Sequence, residues 1–256
     1  MILISTFYND KNPSRQRELE LVLNKNINNE LLHKIILFCE QIPNQNLPEK
    51  VKVIEVAKRL SFNELIFHSN KYQTDDLKIL SNADIFFDES LGFLVNEFES
   101  KVVYCLTRWD YQEGSNPVFY ENFKSQDAWI FRGKLPDNIG NYYMGLPGCD
   151  NRFAKELIDA GHKIQNPCLS VRAIHVHGSN SRNYHKTSDR IFGEYAYPLP
   201  IEMKNHRTSW GNEMERKIRL KFLHRKWRND LAGVKYTILE RVLAKLTLFY
   251  FKYCSR

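Results

Sequence analysis

The sequence predicts an α/β protein with a mainly parallel central sheet, followed by a basic helical tail. Three observations carry that reading. Apolar runs of strand length alternate with segments of helical period through about the first 110 residues. Those strand runs are apolar almost throughout, as strands covered on both faces must be. Finally, the composition changes abruptly near residue 213, which divides the chain into a domain over residues 1–212 and an appendage over 213–256.

The elements follow in order. ILISTFY (2–8) is a strand, and NPSRQRELELVLNKNI opens a helix with Pro13 in its first turn and Leu19, Leu21, Leu23 and Ile27 on its apolar side. HKIILFCE (33–40) and KVKVIEV (50–56) are strands. SFNELIFHSNKY (61–72) is a helix in which Ser61 caps and Glu64 closes a capping box. SNADIFFDES (81–90) reads as one buried strand whose alternation puts Asp84, Phe86 and Asp88 on one face. KVVYCLTRW (101–109) and SQDAWIFRGKL (125–135) are strands. MGLPGCDNRFAKELIDAGH (144–162) is a turn entering a helix capped by Asp150 or Asn151 and ended at Gly161. CLSVRAIHVHGS (168–179) is a strand with His175 and His177 on one face.

Bulk properties exclude several classes. Apolar residues make up 43% and charged residues 26%, so wholesale disorder is excluded. The chain carries +7, yet residues 213–256 hold twelve basic and four acidic residues, a net +8 that leaves the rest at −1. The basicity is therefore local. Five cysteines never form a Cys-x-x-Cys pair, which argues against a zinc knuckle or disulfide framework and fits a reducing cytoplasm. No run of apolar residues is long enough to span a membrane, and the start lacks the pattern of a signal peptide. The first strand is followed by neither Gly-x-Gly-x-x-Gly nor a Walker loop, which leaves dinucleotide oxidoreductases and P-loop enzymes without support.

Ligand sites of parallel sheets form at the carboxyl ends of the strands. A carboxylate such as Asp84, placed there beside Thr6 and Tyr8, is suited to hold Mn2+ or Mg2+ against a diphosphate, because these ions take few protein ligands and complete their shells with phosphate and water. Asp88 is a second carboxylate of that stretch, and it equally suits the opening of a turn. His175 and His177 are candidate ligands, although a strand histidine is more commonly structural. Asp150 reads as an N-cap worth about 1 kcal/mol or as a general base kept ionised by a helix N-terminus; the residues alone leave both open. Arg15, Arg17, Arg59 and Arg108 are candidate phosphate contacts. Trp109 and Trp129 read as core or as sugar-stacking rings.

Taken together, ISTFYNDKNPSRQREL, SNADIFFDESL, LTRWDY, SQDAWIFRG, GLPGCDNRFAKEL and HVHGSNSRNY resemble, in that order, small GT-A-type glycosyltransferases of bacterial surface-glycan loci and of chlorella-virus capsid glycosylation. The resemblance spans residues 2 to 184. It implies a GT-A-like, nucleotide-sugar-binding fold and a hexosyl- or deoxyhexosyltransferase that inverts. The motif Asn82-Ala83-Asp84 stands where that group has Asp-x-Asp. The implied ligands of a Mn2+ or Mg2+ ion are Asp84, Asp88, His175 and His177. Asp150 is implied as base. Thr6, Phe7, Tyr8, Arg59, Asn82 and Arg108 are expected at the donor, and Asp127 and Trp129 at a glycan or lipid-linked acceptor.

Two rivals remain at this level. A sugar-nucleotidyltransferase uses a similar α/β half, but STFYNDKNPS has no glycine with which to hold a triphosphate. A membrane- or nucleic-acid-binding module would use the tail, where apolar positions at helical spacing accompany the twelve basic residues. The expectation is an enzyme of the cytoplasm that reaches an anionic membrane surface through residues 213–256, with no nucleic-acid partner.

Overall fold

The computed structural model describes residues 1–203 apart from 44, 45, 74, 100, 121–123, 177, 179–184 and 186. His177 and the tail over 213–256 thus lie outside the described residues.

The chain runs β1 (Ile2–Phe7), α1 (Pro13–Ile27), β2 (Lys34–Cys39), β3 (Val51–Glu55), α2 (Phe62–Ser69), β4 (Leu77–Ser81), β5 (Ile85–Phe87), α3 (Leu94–Glu97), β6 (Val102–Leu106), β7 (Arg108–Tyr111), β8 (Val118–Phe119), β9 (Ala128–Arg132), α4 (Cys149–Asp159), β10 (Lys163–Gln165) and β11 (Ala173–Val176). Seven strands form the main sheet in the order β10-β6-β9-β4-β1-β2-β3. Only β9 runs against its neighbours, pairing antiparallel with β4 and β6, so the sheet is mainly parallel as expected. A second sheet has the order β5-β11-β7-β8.

Strand alternation divides the core between the two faces of the main sheet. Leu3, Ile35, Leu37, Ile79 and Ile130 join α1's Leu19 and Leu23 on one side. Ile4, Ile36, Phe38, Trp129 and Phe131 meet α2's Phe62 and Leu65 and α4's Phe153 and Leu157 on the other. A third cluster joins Val22 of α1 to Phe86, Ile174 and Val176 of the small sheet.

Local chemistry accounts for the helix ends. Asn12 caps α1 by accepting from the Ser14 N–H, with Pro13 in the first turn. The capping box of α2 is present, with Ser61 accepting from the Glu64 N–H and Glu64 from the Ser61 N–H. Gly161, at φ 87°, follows the end of α4 in the left-handed conformation that glycine tolerates.

Four expectations need correction. SNADIFFDES is not one strand: Ser81 ends β4, residues 82–84 turn with Ile85 N–H on the Asn82 carbonyl at 3.3 Å, and Ile85–Phe87 forms β5 in the other sheet. The central strand β4, LKILS, was missed. KVVYCLTRW is two strands, split at the buried Thr107, where the chain leaves the main sheet for the small one. The N-cap of α4 is Gly148 rather than Asp150 or Asn151, so Asp150 lies inside the first turn.

Candidate functional site

The carboxyl edge of the main sheet gathers chain segments that are distant in sequence. β1 ends there at Phe7, followed by Tyr8; β4 ends at Ser81, followed by Asn82; β6 ends at Leu106, followed by Thr107; and the reversed β9 begins there just after Asp127. β11 and β7 of the small sheet bring in a second row, since His175 is in register with Asp110.

The charged groups form a connected chain. Arg15, projecting from α1, places Nη2 2.7 Å from Asp84 Oδ2 and Nη1 2.9 Å from Glu18 Oε2, and its Nε donates to Tyr8 Oη at 3.2 Å. His175 stands between two carboxylates, with Nε2 3.4 Å from Asp84 Oδ2 and Nδ1 3.4 Å from Asp110 Oδ1. Arg108 donates from Nε to Asp110 Oδ1 at 2.9 Å and carries Nη1 3.8 Å from Asp127 Oδ2. Asn82 Nδ2 donates to Asp127 Oδ1 at 2.7 Å.

These contacts decide the charge states. Burial opposes charge on Asp84, but His175 and Arg15 prevail and hold it well below the usual carboxylate range. Burial likewise disfavours the His175 imidazolium, yet Asp84 and Asp110 raise it to about 9. Asp127 goes the other way: burial pushes it up against the pull of Arg108 and His175.

Asp150 reaches the same edge from α4. Its Oδ2 accepts from the Gln126 N–H at 3.0 Å and its Oδ1 from the Asn151 N–H at 2.9 Å. Burial outweighs these donors and lifts its carboxyl to about 6. A carboxyl at that value is still mostly ionised at neutral pH, although burial, and not the helix N-terminus, has the larger effect on it.

Several expected site residues stand elsewhere. Asp88 caps the Ser90 N–H at 3.0 Å and pairs with Arg172 Nη2 at 2.5 Å, which is the turn-opening role. Phe7 is 4% exposed and packs in the core, so it lines no open pocket. Trp129 is fully buried edge-on to Phe62, with ring centroids 4.8 Å apart, so it cannot stack on an acceptor. Arg59 donates to the Met144 carbonyl and lies 5.6 Å over the Tyr143 ring, away from the charged cluster among the described residues. Arg17 is exposed. Trp109 donates its indole N–H to the Cys168 carbonyl at 2.8 Å. Thr6, half-buried, stands one residue before the end of β1.

Asp110 and Glu18 were missed. Asp110 had a signal: it sits two residues after Arg108 on a strand, hence on the same face. Glu18 had the three-residue helical spacing from Arg15, and its other oxygen accepts from the Gly178 N–H at 2.9 Å.

Fit to a divalent ion rests on Asp84. Among the described residues no three His, Cys, Asp or Glu side chains are grouped to hold an ion alone. Arg15 and His175 both approach Asp84 at Oδ2, and among the described residues the side-chain hydrogen bond of Asp84 falls on that oxygen and not on Oδ1. That donor set fits an ion taking one protein carboxylate and otherwise phosphate and water. Both ring nitrogens of His175 face carboxylates, so as placed it backs Asp84 instead of presenting a free ligand atom.

No protein-family model matches the chain, and no curated protein matches it. Among solved structures it is similar to the mannosyltransferase PcManGT from Pyrobaculum calidifontis in complex with GDP-Man and Mn2+, at 10% identity and TM-score 0.41 over 99% of this chain and 70% of that one. It is similar to S. aureus TarS 1–349 in complex with UDP-GlcNAc, at 12% identity and TM-score 0.44 over 98% and 72% of the two chains. For GalNAc-T7 with UDP, GalNAc and Mn2+ the values are 12% and 0.43, over 69% of this chain and 43% of that one. The matched structures are GT-A-type glycosyltransferases.

Proposed function

We propose that this protein transfers a hexosyl or deoxyhexosyl group, with inversion, from a nucleotide-sugar donor to a hydroxyl of a glycan or lipid-linked acceptor. The observation that carries this reading is the convergence of Arg15, Arg108 and His175 on Asp84 and Asp127 at the carboxyl edge of a parallel sheet. Such an edge, with guanidinium groups beside a carboxylate that has a spare oxygen, suits a diphosphate and its ion.

In this reading Asp84 would hold Mn2+ or Mg2+. Such an ion would supply Lewis-acid charge to the diphosphate of the donor. Arg15 keeps Asp84 ionised and fixed, and Arg108 and His175 supply positive charge at the same edge. Thr6 and Tyr8 contact the nucleoside. Asp150, at about 6, is ionised at neutral pH yet basic enough to take the proton of the attacking hydroxyl. Asp127 faces the acceptor.

No helix among the described residues is long and apolar enough to cross a membrane. The proposed location is the cytoplasmic side of an anionic membrane, approached through residues 213–256, which would give access to a lipid-linked acceptor.

A thermal-shift screen of UDP- and GDP-sugars, with and without Mn2+, tests the donor reading. Selective stabilisation by one nucleotide class, strengthened by Mn2+, is expected. A protein indifferent to every nucleoside diphosphate and nucleotide sugar would not be such an enzyme.

A further inference from the structure

We propose that Asn82 is a positioning residue for Asp127, and that its neutral side chain is there to hold the Asp127 carboxylate toward an acceptor hydroxyl and not to bind the donor's ion. The role for Asp127 rests on the transfer reading above; the pairing with Asn82 does not.

The two residues are joined twice. Asn82 Nδ2 donates to Asp127 Oδ1 at 2.7 Å, and the Asn82 backbone N–H donates to the Asp127 carbonyl at 3.1 Å. The Asp127 N–H in turn donates to the Leu106 carbonyl at 3.0 Å. One side chain is thereby pinned where three strands meet: the end of β4, the start of β9 and the end of β6. Its orientation is fixed by chemistry, because an ionised carboxylate only accepts and the amide must turn its NH2 toward it.

That bond explains why the chain carries Asn where a paired motif would have Asp. A carboxylate at position 82 would face the Asp127 carboxylate at hydrogen-bond distance, and two such groups cannot both remain ionised. An amide of the same shape gives a donor instead.

The geometry also leaves a vacancy of the right kind. With Oδ1 occupied by Asn82, Asp127 Oδ2 is buried without a hydrogen-bond partner among the described residues, and Arg108 Nη1 lies 3.8 Å away. The residue is 6% exposed, and Asp150 anchors the preceding residue through the Gln126 N–H at 3.0 Å. A fixed, buried acceptor oxygen at a ligand-bearing edge calls for a donor, and a sugar hydroxyl is one.

The test separates the pairing from the transfer reading. Urea unfolding of N82A, N82D, D127N and the N82D/D127N double variant forms one arm. N82D should be less stable than N82A, and the double variant, which exchanges donor and acceptor, should recover most of the loss. The other arm titrates Mn2+ with UDP-GlcNAc and GDP-mannose by thermal shift and measures transfer to methyl glycosides. N82A and N82D should keep the wild-type Mn2+ midpoint within about twofold, while N82A raises the acceptor KM by roughly tenfold. Tighter Mn2+ dependence in N82D, or additive stability effects in the double variant, overturns the proposal. A wild type that answers to no nucleotide sugar overturns the acceptor role of Asp127 even where the stability coupling persists.

Discussion

Arg15 Nη2 lies 2.7 Å from Asp84 Oδ2, which ties the first helix to the turn after β4 across 69 residues of sequence. Both side chains are largely buried, at 12% and 16% exposure, and His175 approaches the same oxygen. Asp84 is therefore a structural counter-charge as well as the proposed ion ligand. Removing one partner of a buried pair strands the other's charge, at a cost of about 3–5 kcal/mol. Asp84→Ala should consequently unfold at clearly lower urea concentration, and its loss of turnover would say little about the ion. Asp84→Asn, which keeps shape and one acceptor oxygen, should stay nearer the wild type while losing the Mn2+-dependent part of donor binding. Equal Mn2+ responses in wild type and Asp84→Asn would remove Asp84 from the ion site.

The pH dependence of Asp150 has a definite sign. Its carboxyl is raised to about 6, chiefly by burial, so the ionised base is lost as pH falls through that value. Turnover should fall on the acid side with a midpoint near 6. Asp150→Asn should abolish that limb and lower turnover by a factor of roughly 10²–10⁴. It should also cost about 1–3 kcal/mol, because both carboxylate oxygens accept backbone N–H groups and an amide turns a donor toward one of them. A pH–rate profile alongside urea unfolding distinguishes the two effects. A variant that turns over normally with the acid limb intact leaves Asp150 as a tether for the Gln126 loop.

His175 sets the opposite limb. Burial lowers its affinity for a proton, but Asp84 and Asp110 raise it to about 9, above an ordinary value of 6.5. A histidine whose folded pKa is raised contributes stability that is fully present below the ordinary value and is lost as pH rises through the folded one. The charged groups facing it include Asp84, Asp110, Asp127 and the opposing Arg108. Stability should therefore decline between about 6.5 and 9 in the wild type and stay flatter in His175→Gln. An NMR titration of the imidazole, read beside unfolding midpoints, checks both statements; an imidazole that titrates below 7 contradicts them.

How much of this was legible depends on whether the governing interaction was local. The capping box of α2 and the Asn12–Pro13 start of α1 are written in adjacent residues, and both are present. β4 was hidden by Lys78, which interrupts an apolar run yet is fully buried, its ammonium donating to the Gly133 carbonyl at 2.7 Å. That compensation comes from 55 residues away and leaves no local trace. The break at Thr107 has the same character, since Asn166 accepts the Thr107 N–H at 3.1 Å and donates to its hydroxyl at 2.9 Å. Asp84, His175, Arg108 and Asp127 were all expected at a site, but their pairing depends on which strands reach the carboxyl edge. Asp88 was misplaced because the strand assumed to link it to Asp84 is a turn and a short strand of another sheet.

Trp129 gives the last prediction. Asp127 lies at the edge, but β9 then enters the sheet, and alternation sends Trp129 to the face covered by α2 and α4. Its ring is edge-on to Phe62 and to Phe153, at 4.8 and 5.7 Å between centroids. Replacing a fully buried tryptophan by alanine removes its dispersion contacts and leaves a cavity that the two phenylalanines and the sheet backbone can only partly fill, so Trp129→Ala should cost about 3–5 kcal/mol. Trp129→Phe keeps an aromatic edge against Phe62 and should cost less. The informative quantity is acceptor KM in Trp129→Phe at a temperature where the variant is fully folded. A core role leaves that constant near wild type while the unfolding midpoint drops; a rise in acceptor KM without loss of stability would return the ring to the acceptor site.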